Sequence, residues 1–338
     1  MINVGVVGCG QWGMNHIRVF HGLRDCRVVA AVDQSAQRLS RVQEQYPAVE
    51  CISDVGKLLA RPEVHAVIVA TPAATHYPIV AEALRARKHV LCEKPLCTNA
   101  IEAQKLYDVA RSCRVVLGVG HVFLYNAGII KVKELIETGQ VGEIYYLSAE
   151  RTNLGPIRED VNVSYDLATH DISIFNWLLG AVPETVTAAG ASFVQPNLED
   201  VVFLSLQYPR GTIGSVQASW LSPHKVRQMT VVGSQKMVTW DDLEMKTPVA
   251  IYDRGANAKR EYNEYGEFLR ISMWDGDVRL PSIPLEEPLK VQNAAFLRAV
   301  QAGTMERSDG DFVVGVVRVL EAIAESLRRG GAPVRVSE

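Results

Sequence analysis

Short apolar runs alternate with longer amphipathic segments through the first 120 residues of the chain. The runs Ile2–Val7, Arg27–Val32, Ala66–Ala70, His89–Cys92 and Val115–Val119, with a weaker one near Glu50–Ile52, are short and apolar and predict strands. Between them, Trp12–Leu23, Ala36–Tyr46, Val55–Ala60, Tyr77–Ala86 and Asn99–Arg111 space their apolar residues at helical intervals. Strands that are apolar throughout and joined by helices imply a parallel sheet covered on both faces. In such a sheet, ligands collect at the carboxyl ends of the strands.

The rhythm changes after residue 121. A helix is expected over Ala127–Thr138, a strand over Ile144–Arg151 and a helix over Ser164–Leu179. Strands then follow in series at Thr185–Ala191, Asp200–Tyr208, Thr212–Trp220, Arg227–Val232, Met237–Trp240 and Val249–Tyr252, with Tyr208-Pro-Arg-Gly211 as a turn. Sequential strands of this kind form a mostly antiparallel sheet with one open face, and an open sheet of this size invites a second copy of the chain, as a homodimer or homotetramer. The segment Arg254–Pro288 is polar with scattered aromatics and shows no period. Helices over Pro288–Ala302 and Phe312–Arg329 close the chain. The expected class is α/β: a doubly wound parallel sheet over residues 1–121, then an α+β domain over 122–338 whose last helix packs back on the first.

Composition narrows the class. A length of 338 residues exceeds one ordinary core, and 48% hydrophobic with 22% charged residues is a globular balance. A net charge of −3 gives no basic surface for nucleic acid or anionic lipid. No window nears the roughly 18 apolar residues that span a bilayer, and the chain opens directly into a strand, so a soluble, cytoplasmic protein is expected. All six cysteines lie between residues 9 and 113 and none forms a C-x-x-C pair, which fits buried free thiols.

Gly8-x-Gly10-x-x-Gly13 follows the first strand and opens the first helix, the context in which this spacing binds a dinucleotide. Gly8 permits the tight turn, Gly10 lets the backbone approach a pyrophosphate, and Gly13 lets helix and strand pack closely. The phosphates then face the helix's amides and its positive end. The first domain is thus a Rossmann-type unit. Asp33, 20 residues beyond Gly13 at the end of the second strand, can accept hydrogen bonds from a ribose and repels a 2′-phosphate. NAD is therefore the expected cofactor, with nearby Arg38 the one feature that favours tolerance of NADP. Thr71-Pro72-Ala-Ala-Thr-His76 ends the fourth strand, where its residues can line the nicotinamide side or simply cap and pack.

Two later residues carry acid–base and electrostatic chemistry. Lys94 follows the fifth strand and precedes Pro95, where an ammonium can stabilise an alkoxide developing during alcohol oxidation. Asp166 and His170 are four apart on an expected helix, so a carboxylate can orient an imidazole that serves as general base. The alternative is an ordinary surface Asp–His pair. Asp166, His170, Asp171 and His121 also invite comparison with a metal site, but Asp166 and Asp171 point about 140° apart on a helix of roughly 100° per residue. No metal is expected.

Together these motifs resemble the glucose–fructose oxidoreductase, inositol dehydrogenase and MocA family of NAD(P)-dependent oxidoreductases. The likeness runs through the Gly8–Gly13 turn, Asp33, Ala-Thr-Pro-x-x-x-His76, Glu93-Lys94-Pro95, Gly118-Val-Gly-His121 and the D-x-x-x-H-D helix of Asp166, His170 and Asp171. It implies a catalytic set of Lys94, His170 and Asp166. It implies a cofactor-binding set of Gly8, Gly10, Gln11, Trp12, Gly13, Asp33, Thr71, Pro72, His76, Glu93, Lys94 and His121, and a Lys94–Pro95 peptide that is often cis. Many members continue after the equivalent of His121 with Arg-Phe-Asn-Pro, whereas Leu124-Tyr125-Asn126-Ala127 stands here, so any contact from that arginine is lost or moved.

The stretch from Arg151 to Asn162 resembles family members acting on nucleotide sugars, UDP-N-acetylglucosamine 3-dehydrogenases and related UDP-sugar 3-dehydrogenases in particular. That likeness implies oxidation of a 3-hydroxyl to a ketone. The product would feed a PLP aminotransferase making 3-amino sugars for lipid A and lipopolysaccharide. A diphosphate needs fixed cations, and Arg151, Arg158, Lys225 and Arg227 are available, with Asn153 and Asn162 as candidate readers of sugar groups. The substrate set is then Lys94, Arg151, Asn153, Arg158, Asp166 and His170. Rival expectations are an inositol or free-sugar dehydrogenase, an NAD-dependent glycosidase of the same fold, and a non-catalytic NAD-binding regulator.

Overall fold

A computed structural model describes residues 1–263, 266–308 and 310–336 of the chain. Six strands, β1 (Ile2–Val7), β2 (Cys26–Val32), β3 (Glu50–Ile52), β4 (Ala66–Val69), β5 (His89–Cys92) and β6 (Leu117–Val119), form a parallel sheet ordered β3-β2-β1-β4-β5-β6. They are joined by α1 (Gln11–His21), α2 (Ala36–Gln45), α3 (Val55–Leu59), α4 (His76–Arg85) and α5 (Ala100–Cys113), which confirms the expected alternation. The order reverses between β1 and β4, so the carboxyl ends of these neighbours open a crevice, the ligand site of a doubly wound sheet. Local chemistry starts the helices. Ser35 accepts from the Arg38 amide, Asp54 from Gly56 and Asn99 from Glu102, each satisfying an amide that the helix leaves unpaired.

From residue 126 the elements are α6 (Ala127–Glu137), β7 (Ile144–Leu154), a π-helical turn (Ser164–Ala168), α7 (Thr169–Leu179), β8 (Thr185–Ala191), β9 (Val201–Gln207), β10 (Ile213–Ser219), β11 (Leu221–Gly233), β12 (Met237–Asp241), β13 (Val249–Asn263), β14 (Gly266–Arg279), α8 (Pro288–Ala302), α9 (Gly310–Arg328) and β15 (Val334–Arg335). Nine strands form a second sheet ordered β14-β13-β12-β11-β7-β10-β9-β8-β15, antiparallel except where β10 runs beside β7. One face packs Leu147, Ala149, Val202, Leu204, Val216 and Ala218 inward, with Phe175 of α7 set against Gly214. On the other face Tyr146, Phe203 and Ile213 are exposed.

Two compact units result. The first contains Met1–Tyr125, Glu159–Val161 and Glu286–Glu321; the second contains Asn126–Arg158, Asn162–Leu285 and Ala322–Glu338. The first unit therefore takes α8 as well as the start of α9, where only the last helix was expected to leave 122–338. The reason is burial: Phe296, Leu297 and Ala299 of α8 join the core of Ile2, Val4, Ile17 and Phe20, while Val313, Val314 and Val317 of α9 pack with Leu106 and Val119.

The Arg254–Pro288 segment, in which no period was legible, supplies most of a long hairpin. β12 pairs with β13 only as far as Tyr252, and beyond it β13 and β14 pair with each other from Arg254 onward. A ribbon with no core beneath it has no buried face to impose alternation, and Ile271 and Met273 stand exposed.

Candidate active site

The dinucleotide turn is shaped by backbone crowding. Gly8 has φ of +89°, and a Cβ there would lie 2.5 Å from the Ala70 carbonyl oxygen. A Cβ on Gly13 would lie 1.8 Å from the Gly8 carbonyl oxygen, so only glycine lets α1 fold back this tightly. Gly10 differs: a Cβ there meets nothing within 4 Å, which leaves open space where a pyrophosphate approaches. Gly10 offers no side chain to cap α1, leaving the amides of its first turn, over exposed Gln11 and Trp12, for an anion. These features fit a dinucleotide.

Asp33 stands at the end of β2 as expected, but it does two things. Its Oδ2 accepts the Cys9 amide at 2.7 Å, its Oδ1 accepts the Ser35 amide at 2.8 Å, and Arg38 Nη1 lies 3.5 Å away. The carboxylate therefore shapes the turn besides offering lone pairs to a ribose. Burial, with Asp33 beside it, pushes the Cys9 thiol up to about 12, and all six cysteines are free thiols. Asp33→Ser is expected to raise the kcat/KM ratio of NADP to NAD, because the charge that repels a 2′-phosphate goes. It should also weaken NAD by at least about tenfold, since the Cys9 amide loses its acceptor. Initial rates with both cofactors check this, and an unaltered ratio would place ribose selection elsewhere.

His76 corrects an expectation. Its ring is 1% exposed, with Nδ1 2.7 Å from the Pro95 carbonyl oxygen and Nε2 2.8 Å from that of Thr71. Both nitrogens thus face backbone carbonyls, whichever of them carries the proton, and the residue ties the Thr71–Pro72 loop to the Lys94–Pro95 loop, the packing role that the sequence left open beside cofactor contact. Asp160, not foreseen from sequence, accepts the Ala73 amide of the same loop at 3.3 Å. Glu93, also assigned to the cofactor, is likewise turned inward: Oε1 is 2.8 Å from His16 Nε2 of α1.

Lys94 follows β5 where the crevice opens, is buried at 8% exposure, and begins a cis peptide with Pro95. His121, after β6, is buried with its ring edge-on to Phe312. Burial, reinforced by the Lys94 charge, pushes the His121 imidazole down to about 4, so it is neutral at ordinary pH. Neither ring nitrogen has a hydrogen-bond partner among the described residues. A buried polar ring left orphaned at the carboxyl edge of the sheet fits a site that a bound group completes.

In the second unit the helix expected over Ser164–Leu179 is broken into two geometries. Ser164–Ala168 forms a π turn, closed by the Thr169 amide on the Ser164 carbonyl, and α7 follows. Such turns are rare and recur at functional sites. Because Asp166 sits in the wider turn, the simple i,i+4 relation to His170 does not describe it. Its Oδ2 accepts the Trp220 indole N–H at 3.0 Å and its Oδ1 the Arg158 guanidinium at 3.3 Å. Trp220 was missed from sequence, since one indole at a strand end carries no signal. His170 is 8% exposed in the first turn of α7.

Of the cations proposed for a diphosphate, Arg151 is a correction. It is 2% exposed and gripped by Asp171 through Nε to Oδ2 and Nη2 to Oδ1, both at 2.8 Å. It is part of the core of this unit and leaves substrate binding to others. Arg227 pairs with Asp242 at 3.0 Å, while Lys225 is exposed. Arg158 is partly exposed and holds Asp166. Asn162 is a cap: its Oδ1 accepts the Ser164 and Tyr165 amides, and its amide group donates to Glu199. Asn153 lies partly exposed, folded over Gly155. Among the described residues no group of three or more His, Cys, Asp or Glu is placed to hold a metal, and no helix is long and apolar enough to cross a membrane.

Comparison with known proteins bears on this site. Residues 2–121 match the model described as the oxidoreductase family with an NAD-binding Rossmann fold, and residues 129–239 match that of the GFO/IDH/MocA C-terminal domain. Myo-inositol 2-dehydrogenase of Thermotoga maritima is 25% identical over 77% of this chain and 81% of its own. UDP-N-acetylglucosamine 3-dehydrogenase of Acidithiobacillus ferrooxidans is 29% identical over 75% of this chain and 78% of its own. The fold of GenD2 from gentamicin A biosynthesis, solved in complex with NAD, superposes with a TM-score of 0.84 at 24% identity, covering 100% of this chain and 97% of that one.

Proposed function

The chain belongs to the GFO/IDH/MocA family of NAD-binding oxidoreductases, and on that footing we propose that it oxidises the 3-hydroxyl of a nucleotide sugar, with UDP-N-acetylglucosamine the first candidate. The coarser statement stands without the proposal: this is an NAD-dependent dehydrogenase of the sugar and polyol class. The observation that carries the finer reading is Arg158, a partly exposed guanidinium on the loop before the His170 helix. It is held by the Asp166 carboxylate, and a planar guanidinium is the side chain best shaped to meet phosphate oxygens.

NAD, held at the Gly8–Gly13 turn, supplies a hydride acceptor at nicotinamide C4. The chain's own residues supply the rest. His170 takes the hydroxyl proton as general base, a contribution of about 10²–10⁴ in rate. Lys94 stabilises the oxygen as negative charge develops on it. Asp166, fixed by Trp220 and Arg158, binds the sugar or orients the imidazole. His121, neutral, offers one donor and one acceptor to the bound cofactor. The 3-keto product suits a PLP aminotransferase making a 3-amino sugar. The exposed sheet face bearing Tyr146, Phe203 and Ile213 supports self-association as a dimer or tetramer.

A second reading, oxidation of inositol or another free polyol, is favoured by the burial of Arg151, which removes one of the expected phosphate anchors. NADH formation against UDP-sugars, free hexoses and inositols separates the two. Arg158→Ala sharpens the test: the KM for a UDP-sugar should rise at least about tenfold, the worth of one charge-assisted hydrogen bond. An unchanged KM for the UDP-sugar, with turnover of inositol by the parent protein, would favour the polyol.

A further inference from the structure

His16 lies in α1, three residues beyond Gly13, and no part of the chemistry above uses it. It is 1% exposed, and its Nε2 lies 2.8 Å from Glu93 Oε1. Its Nδ1 lies 3.2 Å from the Asn293 side-chain amide of α8. Asn293 donates there, which places the ring proton on Nε2, aimed at the carboxylate. The other carboxylate oxygen lies 3.3 Å from the backbone amide of Lys94. Gly120 makes the space: a Cβ there would sit 3.1 Å from both oxygens of Glu93.

We propose that His16 and Glu93 are positioning residues for the lysine, tying the helix of the dinucleotide turn to the Lys94 loop and giving the buried ammonium its fixed counter-charge. The inference rests on the role assigned to Lys94 above. A carboxylate and an ammonium taken out of water together demand fixed partners, because each alone is costly to bury. Burial pushes the Glu93 carboxyl up, but the hydrogen bond from His16 and the charge of Lys94 outweigh it and hold the group below the usual carboxylate range. Two titratable neighbours named among the described residues are uncharged. His121, after β6, is neutral at ordinary pH, and burial raises the Cys92 thiol well above its usual range. Occupation of the turn and the placement of the ammonium thus share one rigid element, α1.

The test is a titration of Lys94 in the full chain, by carbon NMR of the reductively methylated protein, its resonance assigned with Lys94→Arg. Glu93→Gln should lower the Lys94 midpoint by about one pH unit, the scale of one lost buried counter-charge. An unmoved midpoint overturns the proposal. If Glu93→Gln does not fold, Glu93→Asp, which retains the charge at a longer reach, should give a smaller shift in the same direction, and no shift again overturns it. Kinetics supply the second arm. His16→Phe should lower kcat at least about tenfold with NADH affinity within about threefold, and His16→Gln, which keeps a donor, should recover much of the loss. In a Lys94→Ala background His16→Phe should add nothing further, whereas a purely architectural histidine costs turnover in both backgrounds. Failure of the parent protein to reduce NAD with any sugar or polyol would sink the dehydrogenase role alone, since the NMR midpoint needs no turnover.

Discussion

Lys94→Ala should lower kcat by at least about 10²-fold while NAD affinity stays within about threefold. The asymmetry follows from where the ammonium acts. It stands after β5, buried and with Glu93 beside it, whereas the pyrophosphate is met by backbone amides and open space at Gly10. A donor that meets charge only as the charge develops changes the rate and leaves the ground-state complex alone. Loss of a positioned oxyanion donor costs about 10²–10³ in kcat, and a lysine whose surroundings exclude water falls in that range. Steady-state rates with cofactor affinity from NADH fluorescence check it. Equal losses in turnover and cofactor affinity would recast Lys94 as a cofactor ligand, and unchanged turnover would remove it from the chemistry.

What sequence could convey was local. The strand β1 was read with its observed limits, and the glycine turn was legible because a close backbone approach leaves no alternative residue at Gly8 and Gly13. Lys94 stands after its strand and His170 near the start of its helix, where the sequence placed them, and their chemical roles are those proposed above. What sequence could not convey was partnership across distance. Arg151 reads as a loop-side cation until Asp171, 20 residues on, is seen to accept from its Nε and Nη2 together. Glu93 reads as a crevice carboxylate until His16, 77 residues away, is seen to claim it. His76 reads equally as a cofactor contact or a packing residue until its ring is seen between the Pro95 and Thr71 carbonyls. The π turn at Ser164–Ala168 leaves no mark on the periodicity of so short a segment. The hairpin past Tyr252 was hidden because alternation records burial, and this ribbon has none to record.

The Arg151–Asp171 pair turns the largest of these misreadings into a measurement. Arg151→Ala should destabilise the protein by about 3–5 kcal/mol, the cost of stranding a buried charge. Both side chains are nearly inaccessible, at 3% and 1%, and the two 2.8 Å bonds form a fork-to-carboxylate match that lysine cannot reproduce. Asp171 also sits in the first turn of α7, where a negative charge favours the helix, so Asp171→Asn should lose part of the same stability. Replacing both partners, Arg151→Met with Asp171→Leu, should recover most of it, because an apolar pair of similar volume strands nothing. Denaturant unfolding of the four proteins measures this directly. A phosphate-binding Arg151 predicts the opposite pattern, a raised KM for a UDP-sugar with stability unmoved. His170 gives the pair its functional reach. It precedes Asp171 directly, so α7 anchored to β7 by this ion pair holds the proposed general base as well, and Arg151→Lys should lower kcat more than it raises any KM.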